Sequence, residues 1–203
     1  MSVIKTHTVT LRGGNETWRV VLRPFCDAHL PYLCKWCADP DVTYYTEGVA
    51  GLRYGEAAVR DIYGGVSQNA LCFLVEANGV PVGECWLQKM NLPDVLSMYP
   101  AGTDVRRIDM SIGEKAYWNR GIGSIFIRML VDFAFRQEHV DVLHCLCDDF
   151  NVRSERMWQK NGFMLVRRDA VRREVGVTPV GKWRLHYALS KEMYFKEGKM
   201  PVC

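Results

Sequence analysis

The feature that most constrains the fold is a strand-turn-helix unit in the middle of the chain. The sequence RRIDMSIG at residues 106–113 predicts a strand. The next segment, AYWNRGIGSIFIRML at residues 116–130, contains Gly121 and Gly123 and continues at once as an apolar pattern of helical period. The first N–H groups of a helix lack intrahelical partners and carry the positive end of its dipole. Because glycine has no Cβ, an anion can approach the backbone there. The unit therefore predicts an anion site, with a tight turn for close helix packing as the alternative.

The composition excludes several classes of protein. A net charge of +3 over 203 residues is too small to indicate a nucleic-acid partner or a membrane surface. No apolar run approaches the ~18 residues of a membrane span and residues 1–14 hold no apolar signal segment, so a cytoplasmic protein is predicted. The 8 cysteines show no regular spacing and are predicted to be reduced thiols without a metal site, with redox or zinc chemistry at the lone pair Cys34 and Cys37 as the alternative. The GxxxxGK[ST] and GxGxxG patterns are absent, so neither a nucleoside triphosphate nor NAD is expected.

The order of the predicted elements indicates one α/β domain over residues 1–203, with a core at about 18–190 around one mixed sheet. Residues 71–90 predict two strands joined at Asn78-Gly79, a strong hairpin signal. The first helix is predicted over residues 27–39, with Asp27 as N-cap and Pro40 beyond its end. The other predicted segments are strands at 18–25, 106–113, 140–147, 162–171 and 181–190, helices at 55–63, 121–137 and 151–161, and a loop at 91–104.

A second motif, NVRSERMWQKNGF at residues 151–163, lies downstream of the glycine turn. Together the two segments resemble the acetyl-CoA-binding core of the Gcn5-related N-acetyltransferase (GNAT) superfamily, whose pattern is a (Q/R)xxGxG/A turn, a helix, a strand and an NxxxxxxYxKxGF helix. Trp118 stands where the family usually has Gln or Arg. Trp158 stands where many members have a tyrosine that can protonate the sulfur. Because an indole N–H is too weak an acid for that task, no general acid is predicted.

The resemblance implies the GNAT fold, an α/β architecture (α+β mixed) in which a central, mixed, mostly antiparallel twisted sheet is flanked by helices and splayed between its fourth and fifth strands. It also implies acetyl-CoA as co-substrate, with pantetheine in that gap and the diphosphate at the glycine turn. From the residues alone, Arg120 would be only a solvated cation. The residues implied in cofactor binding are Met110, Ser111, Ile112, Trp118, Asn119, Arg120, Gly121, Ile122, Gly123, Ser124, Asn151 and Ser154.

A narrower resemblance, to the aminoglycoside 6′-N-acetyltransferases, rests on VPVGECWLQKMNLPDVLSMYP, TDVRRIDMSIG and WCADPDVTYYTEG. It implies a polycationic amine as substrate, with Asp104 or Asp109 orienting and deprotonating the amine. The three aromatic residues Tyr44, Tyr45 and Trp86 would line the cleft, although they are equally well explained as core residues. The full implied set of substrate-binding residues is Tyr44, Tyr45, Trp86, Tyr99, Asp104, Asp109 and Asp148.

Two of these acids are also unusual on physical grounds. Asp109 interrupts an apolar strand, where a carboxylate is costly unless it is paired or hydrogen-bonded. Asp148 lies at the carboxyl end of a strand, where α/β sheets bind ligands, although it would also serve as a helix N-cap. For Asp109 the alternative is a structural ion pair, and the candidate partners are Arg106, Arg107 and Arg184.

Three functions are therefore in competition. The first is acetylation of an aminoglycoside 6′-amine by direct transfer in a ternary complex, which needs no covalent acyl-enzyme and no cysteine. The second is the same chemistry on a protein N-terminus, as in ribosomal-protein acetyltransferases. The third is a non-catalytic acyl-CoA-binding module. The acidic residues favour the first, because a peptide-accepting site should be more open and less acidic. Both a monomer and a homodimer are compatible with the sequence.

Overall fold

A computed structural model describes residues 3–171 and 179–196. Within these residues eight strands form one sheet in the order β1-β2-β3-β4-β5-β6-β8-β7. The strands are β1 Leu11–Gly14, β2 Arg19–Pro24, β3 Ala70–Ala77, β4 Val80–Lys89, β5 Val105–Ile112, β6 Val142–Asp148, β7 Met164–Ala170 and β8 Trp183–Ser190. The α-helices of the same residues are α1 Leu30–Cys37, α2 Pro40–Glu47, α3 Glu56–Val66, α4 Pro93–Leu96, α5 Ile122–Arg136, α6 Val152–Lys160 and α7 Lys191–Lys196.

The sheet is split between β5 and β6. All other neighbouring strands run antiparallel, whereas β5 and β6 run parallel and pair only where residues 105–107 meet residues 142–144. Beyond Arg107, β5 and β6 continue without backbone hydrogen bonds to each other. This arrangement confirms the predicted mixed, mostly antiparallel sheet that is splayed between the fourth and fifth predicted strands.

Each face of the sheet is covered by helices. Helix α5 packs on one face, and because this helix is apolar on nearly every side it is the centre of the main core, with Phe126 and Phe135 fully buried. Helices α1 and α3 cover the other face, where Leu33 and Trp36 pack with Leu74 of β3. The cleft-forming residues of β4 and β5 lie on this second face, because side chains alternate along a strand.

One prediction about the first helix is confirmed and one is wrong. Pro40 lies beyond the end of α1 at Cys37, as predicted. It also begins α2, which was not predicted, because proline suits the first helical position and Asp39 caps the helix by accepting from Asp41 N at 2.9 Å. Asp27 does not cap α1. Its carboxylate instead accepts from the backbone N–H groups of Val3 and Ile4.

Two other local predictions are confirmed, and three short elements were not predicted. The hairpin turn is confirmed, with positive φ at both Asn78 (51°) and Gly79 (83°). Gly162 follows the Asn161 cap of α6 with φ 89°, as predicted for a C′ glycine. The segment predicted as a loop at residues 91–104 contains α4, and β1 and α7 were not predicted.

Three further findings concern the described residues only. No helix among them is both long and apolar enough to cross a membrane. The seven cysteines they include are free thiols, whereas Cys203 lies outside them. They contain no group of three or more histidine, cysteine, aspartate or glutamate side chains placed to hold a metal ion.

Candidate active site

A cavity of about 830 Å³ lies over the split in the sheet. Its walls come from α1–α3, from β4, β5 and β6, from the turn that begins α5, and from α6. This volume is in the range of sites that hold a sizeable small molecule. The sequence-predicted residues that line it are Tyr45, Trp86, Asp109, Met110, Ser111, Ile112, Trp118, Asn119, Arg120, Gly121, Ile122, Gly123, Ser124, Asp148, Asn151 and Ser154.

The start of α5 forms one end of the cavity. Gly121 is the N-cap residue with φ 79°, in the left-handed region that favours glycine, and no side chain caps the helix. The backbone N–H groups of the first turn therefore face a ligand site without an internal acceptor. A Cβ added at Gly123 would meet its nearest neighbours at 3.8 Å, which is ordinary contact. Close helix packing does not require glycine at this position, so the anion-site interpretation is the better one.

An aromatic layer covers the mouth of the split. The guanidinium of Arg153 lies 3.9 Å from the ring centre of Tyr45 and 4.5 Å from that of Trp118, within the range of a cation–π contact. The indole N–H of Trp118 donates to the Ile112 carbonyl at 2.6 Å. These contacts join α2, the turn before α5 and the first turn of α6, and so link the two sides of the gap.

Helix α6 adds polar and basic groups at the same end. Asn151 caps the helix by accepting from Ser154 N at 3.2 Å, and its amide nitrogen donates to the Tyr45 carbonyl at 3.1 Å. The basic residues that line this end are Arg120, Arg153, Arg156 and Lys160. Together with the uncapped start of α5, they fit the diphosphate and phosphate groups of coenzyme A, because such anions bind helix N-termini and flexible cations.

Each of the three predicted acids pairs with a different arginine. Asp104 contacts Arg106 at 2.9 Å, Asp148 contacts Arg184 at 2.8 Å, and the Asp109 carboxylate accepts from Arg107 Nε. The ion-pair alternative for Asp109 is thus present, with Arg107 as its partner. Asp109 Oδ2 also accepts from the indole N–H of Trp86 at 2.8 Å. Among residues 3–171 and 179–196, no hydrogen bond to Oδ1 of Asp109 is present.

The structure does not bring every predicted residue to the cavity. Asp104 precedes β5 at the end where β5 and β6 are still paired, and its ion pair with Arg106 holds it there. Five residues of extended chain separate it from Asp109, or roughly 16 Å. Tyr99 lies in a separate cluster, where its hydroxyl is hydrogen-bonded to His144 Nδ1 at 3.1 Å. Tyr44 packs edge-on against Tyr45 and does not line the cavity. The structure therefore does not place these three residues in the cavity.

Glu84 is the residue that the sequence analysis missed. It lies on β4 directly opposite Ser111 of β5, lines the cavity, and is only 5% exposed. Burial raises the pKa of its carboxyl well above the ordinary value, the negative charge of Asp109 raises it further, and a hydrogen bond with Tyr63 partly opposes them. In the alternating segment VGECWLQ, the glutamate was indistinguishable from a solvent-facing residue.

Trp158 also lines the cavity and is 2% exposed. It packs edge-on against Phe163, and its Nε1 has no hydrogen-bond partner within the described part of the chain. A buried donor without a partner is uncommon, since such a group loses its bonds to water. This N–H is available to an acceptor on a ligand.

A split sheet with a bare helix N-terminus on one side of the gap and acids beyond it defines an acetyltransferase architecture. The chain belongs to the GNAT family, because the family model described as an acetyltransferase (GNAT) domain matches residues 19–164.

Solved structures with the same fold have low sequence identity to this chain. A GNAT-family acetyltransferase from Bacillus anthracis is 18% identical, with a TM-score of 0.70 over 91% of this chain and 99% of that one. The aminoglycoside acetyltransferase AAC(6′)-Ib in complex with coenzyme A and kanamycin is 20% identical, with a TM-score of 0.68 over 89% of this chain and 99% of that one. Mycobacterium smegmatis RimJ in complex with CoA-disulfide is 15% identical, with a TM-score of 0.70 over 97% and 98% of the two chains.

Proposed function

We propose that the protein transfers an acetyl group from acetyl-CoA to a primary amine of a small polycation, with the 6′-amine of an aminoglycoside as the first candidate. The observation that carries this proposal is the separation of charge along the cavity. Basic side chains gather at the α5 and α6 end. The part formed by α2, β4, β5 and β6 is lined by four acidic residues, Glu47, Glu84, Asp109 and Asp148, against the two arginines Arg107 and Arg184. A phosphate-rich carrier suits the first end, and a cationic acceptor suits the second.

Acetyl-CoA supplies the acetyl group as a thioester when it is bound. The backbone of residues 110–112 lies beyond the part of β5 that pairs with β6, and would bond the pantetheine arm as an added strand would. The first turn of α5 would hold the diphosphate through its N–H groups, and Arg120 would add charge. Asn151 and Ser154 would contact the arm from the α6 side.

Asp109 would orient the acceptor amine. Its carboxylate is fixed by Trp86 and Arg107, both of which bond to Oδ2. An ammonium group at Oδ1 would form a charge-assisted hydrogen bond beside the gap in the sheet. Asp148 and the aromatic rings of Tyr45 and Trp86 would complete the acceptor side. Positioning of the two substrates in one complex is then expected to supply much of the rate, because it makes the reaction effectively intramolecular.

The N-terminal amine of a protein is the second candidate. Two of the cavity acids, Asp109 and Asp148, are each paired with an arginine, which reduces the net negative charge that a polycation would meet. A substrate with a single ammonium group needs fewer free carboxylates. This pairing is the observation that favours the second candidate over a drug with several amines.

The experiment is a thiol-release assay with purified protein and acetyl-CoA. Kanamycin and tobramycin test the first candidate, and ribosomal proteins with free N-termini test the second. Release of coenzyme A with either drug, together with a mass increase of one acetyl group, supports the aminoglycoside proposal. Acetylation of ribosomal proteins without turnover of either drug overturns it in favour of the second. Binding of acetyl-CoA without turnover of any acceptor would indicate a non-catalytic acyl-CoA-binding module.

A further inference from the structure

Glu84 differs from the predicted acids because it forms no ion pair with a basic side chain of the described residues. The three predicted acids each contact an arginine, whereas no salt bridge of the described residues involves Glu84. Its side chain is nevertheless buried and lines the same cavity. A buried carboxyl without a positive partner is costly in its charged form, so its position in this cavity calls for a ligand that carries the charge.

The groups around Glu84 come from every element packed on this face. Tyr63 of α3 is hydrogen-bonded to it, and Asp109 of β5 acts on it through its charge. The thiol of Cys37 on α1 bonds to the Tyr63 hydroxyl, and its pKa is raised by burial to about 12. Cys72 of β3 is likewise buried, with its pKa raised to about 12. Glu47 of α2 adds a further negative charge near this group of residues. Glu84 is therefore surrounded by groups that are neutral or negative at neutral pH.

The register of β4 and β5 places Glu84 next to the part of β5 along which the arm of acetyl-CoA is proposed to lie. Glu84 and Ser111 are a cross-strand pair on β4 and β5, and Trp86 and Asp109 are the next pair on the same face. Neighbouring strands lie about 4.8 Å apart, so a glutamate side chain on β4 reaches the free edge of β5. Asp109 would hold the ammonium through one hydrogen bond, while a second N–H of the same group points to the next carboxyl along the face.

We propose that Glu84 is the general base, which takes the proton from the acceptor amine while Asp109 orients that amine. This inference rests on the proposed transfer to an amine, and it moves the base from the residue that the sequence suggested to one that it did not. Tyr63 is a positioning residue, because its hydroxyl fixes the Glu84 carboxyl through a hydrogen bond.

The step balances as follows. The ammonium transfers one proton to the Glu84 carboxylate, and the resulting amine lone pair attacks the thioester carbonyl carbon. The C–N bond forms and the C–S bond breaks, so the electron pair of that bond leaves on the sulfur. The second proton of the nitrogen passes to the sulfur, giving the free thiol and an amide. Glu84 keeps this proton when the products leave and loses it to solvent only when the next ammonium binds, so that one proton is released in each turnover.

The cationic substrate itself would prepare the base. An ammonium group beside Glu84 favours the ionised carboxylate, so binding of the acceptor brings the raised pKa of Glu84 down toward the working pH. A general base is most effective when its pKa lies near the operating pH. The pKa of a carboxylate in a permanent ion pair would not change in this way when the substrate binds.

The test compares Glu84→Gln with the matched control Glu76→Gln. Glu76 lies on the neighbouring strand β3, is bonded to Arg23, and does not line the cavity. Turnover is measured from pH 6 to pH 10 with whichever of kanamycin or an N-terminal peptide is acetylated. Glu84→Gln should lower kcat by ~10²–10⁴-fold at pH 7. The loss should shrink as the pH rises, because the free amine then needs no base, while acetyl-CoA affinity and the activity of Glu76→Gln stay unchanged.

A second measurement does not depend on the acceptor. Isotope-edited infrared spectroscopy of the acetyl-CoA complex should show a protonated carboxyl at pH 7 that is absent in Glu84→Gln and present in Glu76→Gln. Glutamine is neutral and of the same shape, so Glu84→Gln should also fold normally. Titration of this carboxyl in the ordinary range would overturn the inference even if no acceptor is turned over. A loss of turnover that is the same at every pH would also overturn it, and would leave acetyl transfer itself intact.

Discussion

The indole N–H of Trp86 donates to Oδ2 of Asp109 at 2.8 Å, across the cross-strand pair that these residues form on β4 and β5. Arg107 donates to the same oxygen from the same strand as Asp109. Two donors on one oxygen fix the orientation of the carboxylate. A fixed acceptor beside the gap in the sheet is what an incoming ammonium group needs for a reproducible position.

Asp109→Asn is therefore expected to lower kcat/KM by roughly 100-fold while acetyl-CoA affinity is unchanged, because it removes a charge-assisted bond to the amine and not a contact to the carrier. Steady-state kinetics and calorimetry measure the two quantities. Asp104→Asn should lose much less turnover, because Asp104 lies outside the cavity and holds Arg106. Equal loss of activity in the two variants, or a parallel loss of acetyl-CoA binding, would contradict this role.

The glycine turn gives a prediction in which stability and binding move in opposite directions. In Gly123→Ala the new Cβ would meet only ordinary contacts at 3.8 Å, and alanine in a helix is favoured over glycine by roughly 0.5–1 kcal/mol. The variant should melt at a higher temperature but bind acetyl-CoA at least about tenfold more weakly, because the methyl group occupies the approach of the diphosphate. Thermal melts and calorimetry would test this. A stabilised variant with unchanged affinity would refute the placement of the diphosphate.

Gly121→Ala is the matched control for that experiment. Gly121 has φ 79° and open space around its Cβ position, so only backbone strain opposes the substitution. A left-handed non-glycine residue costs about 1–2 kcal/mol. This variant should therefore lose stability, whereas Gly123→Ala gains it, although both glycines belong to one motif.

A further prediction concerns Arg153, which contacts the aromatic layer over the split in the sheet. Arg153 lies over the rings of both Tyr45 and Trp118, so Arg153→Met keeps most of the volume but removes the charge from the stack. Loss of the cation–π contacts should lower the free energy of unfolding by about 1 kcal/mol. Acetyl-CoA affinity should fall as well and become less dependent on salt, because one cation is lost from the phosphate end. Unchanged salt dependence of the affinity would show that Arg153 does not act on the carrier.

The sequence predicted most of the fold because its signals are local. The glycine turn, the Asn78-Gly79 hairpin and the alternation along β5 each specify their own geometry within a few residues. Helix α2 was missed because proline both follows helix ends and begins new helices; Pro40 does both, and only the Asp39 side chain reveals the second role. The short strand β1 depends on pairing with β2 and carries no strong pattern of its own.

The candidate site was less predictable, because its pairings are long-range. The partner of Asp148 is Arg184, on the neighbouring strand β8, and no spacing rule in the sequence links the two. Glu84 was missed for a similar reason. A polar residue in an alternating strand normally faces water, and only the packing of α1 and α3 on that face shows that Glu84 is buried.

A chain of hydrogen bonds through two buried histidines predicts how stability depends on pH. Tyr99 bonds to His144 Nδ1, His144 Nε2 bonds to His186 Nδ1 at 3.0 Å, and His186 Nε2 lies 3.1 Å from Asp169. One proton on each ring satisfies every contact, with each group donating to the next. A second proton on His186 would place two N–H donors against each other, and a second proton on His144 would require the Tyr99 hydroxyl to turn and accept.

Acidification should therefore destabilise the protein. Burial, then the charges of His186 and Arg167, lower the pKa of His144 to about 4, and burial lowers the pKa of His186 as well. Between about pH 6.5 and pH 4, the unfolded chain therefore binds more protons than the native protein. As the pH is lowered through this range, the free energy of unfolding should fall by up to ~1.4 kcal/mol per pH unit for each such histidine. Urea denaturation at several pH values measures the slope. His144→Gln, which retains a donor for His186, should flatten it, whereas His139→Asn at an exposed position should not. An identical slope in His144→Gln and the unmodified protein would assign the acid sensitivity to other groups.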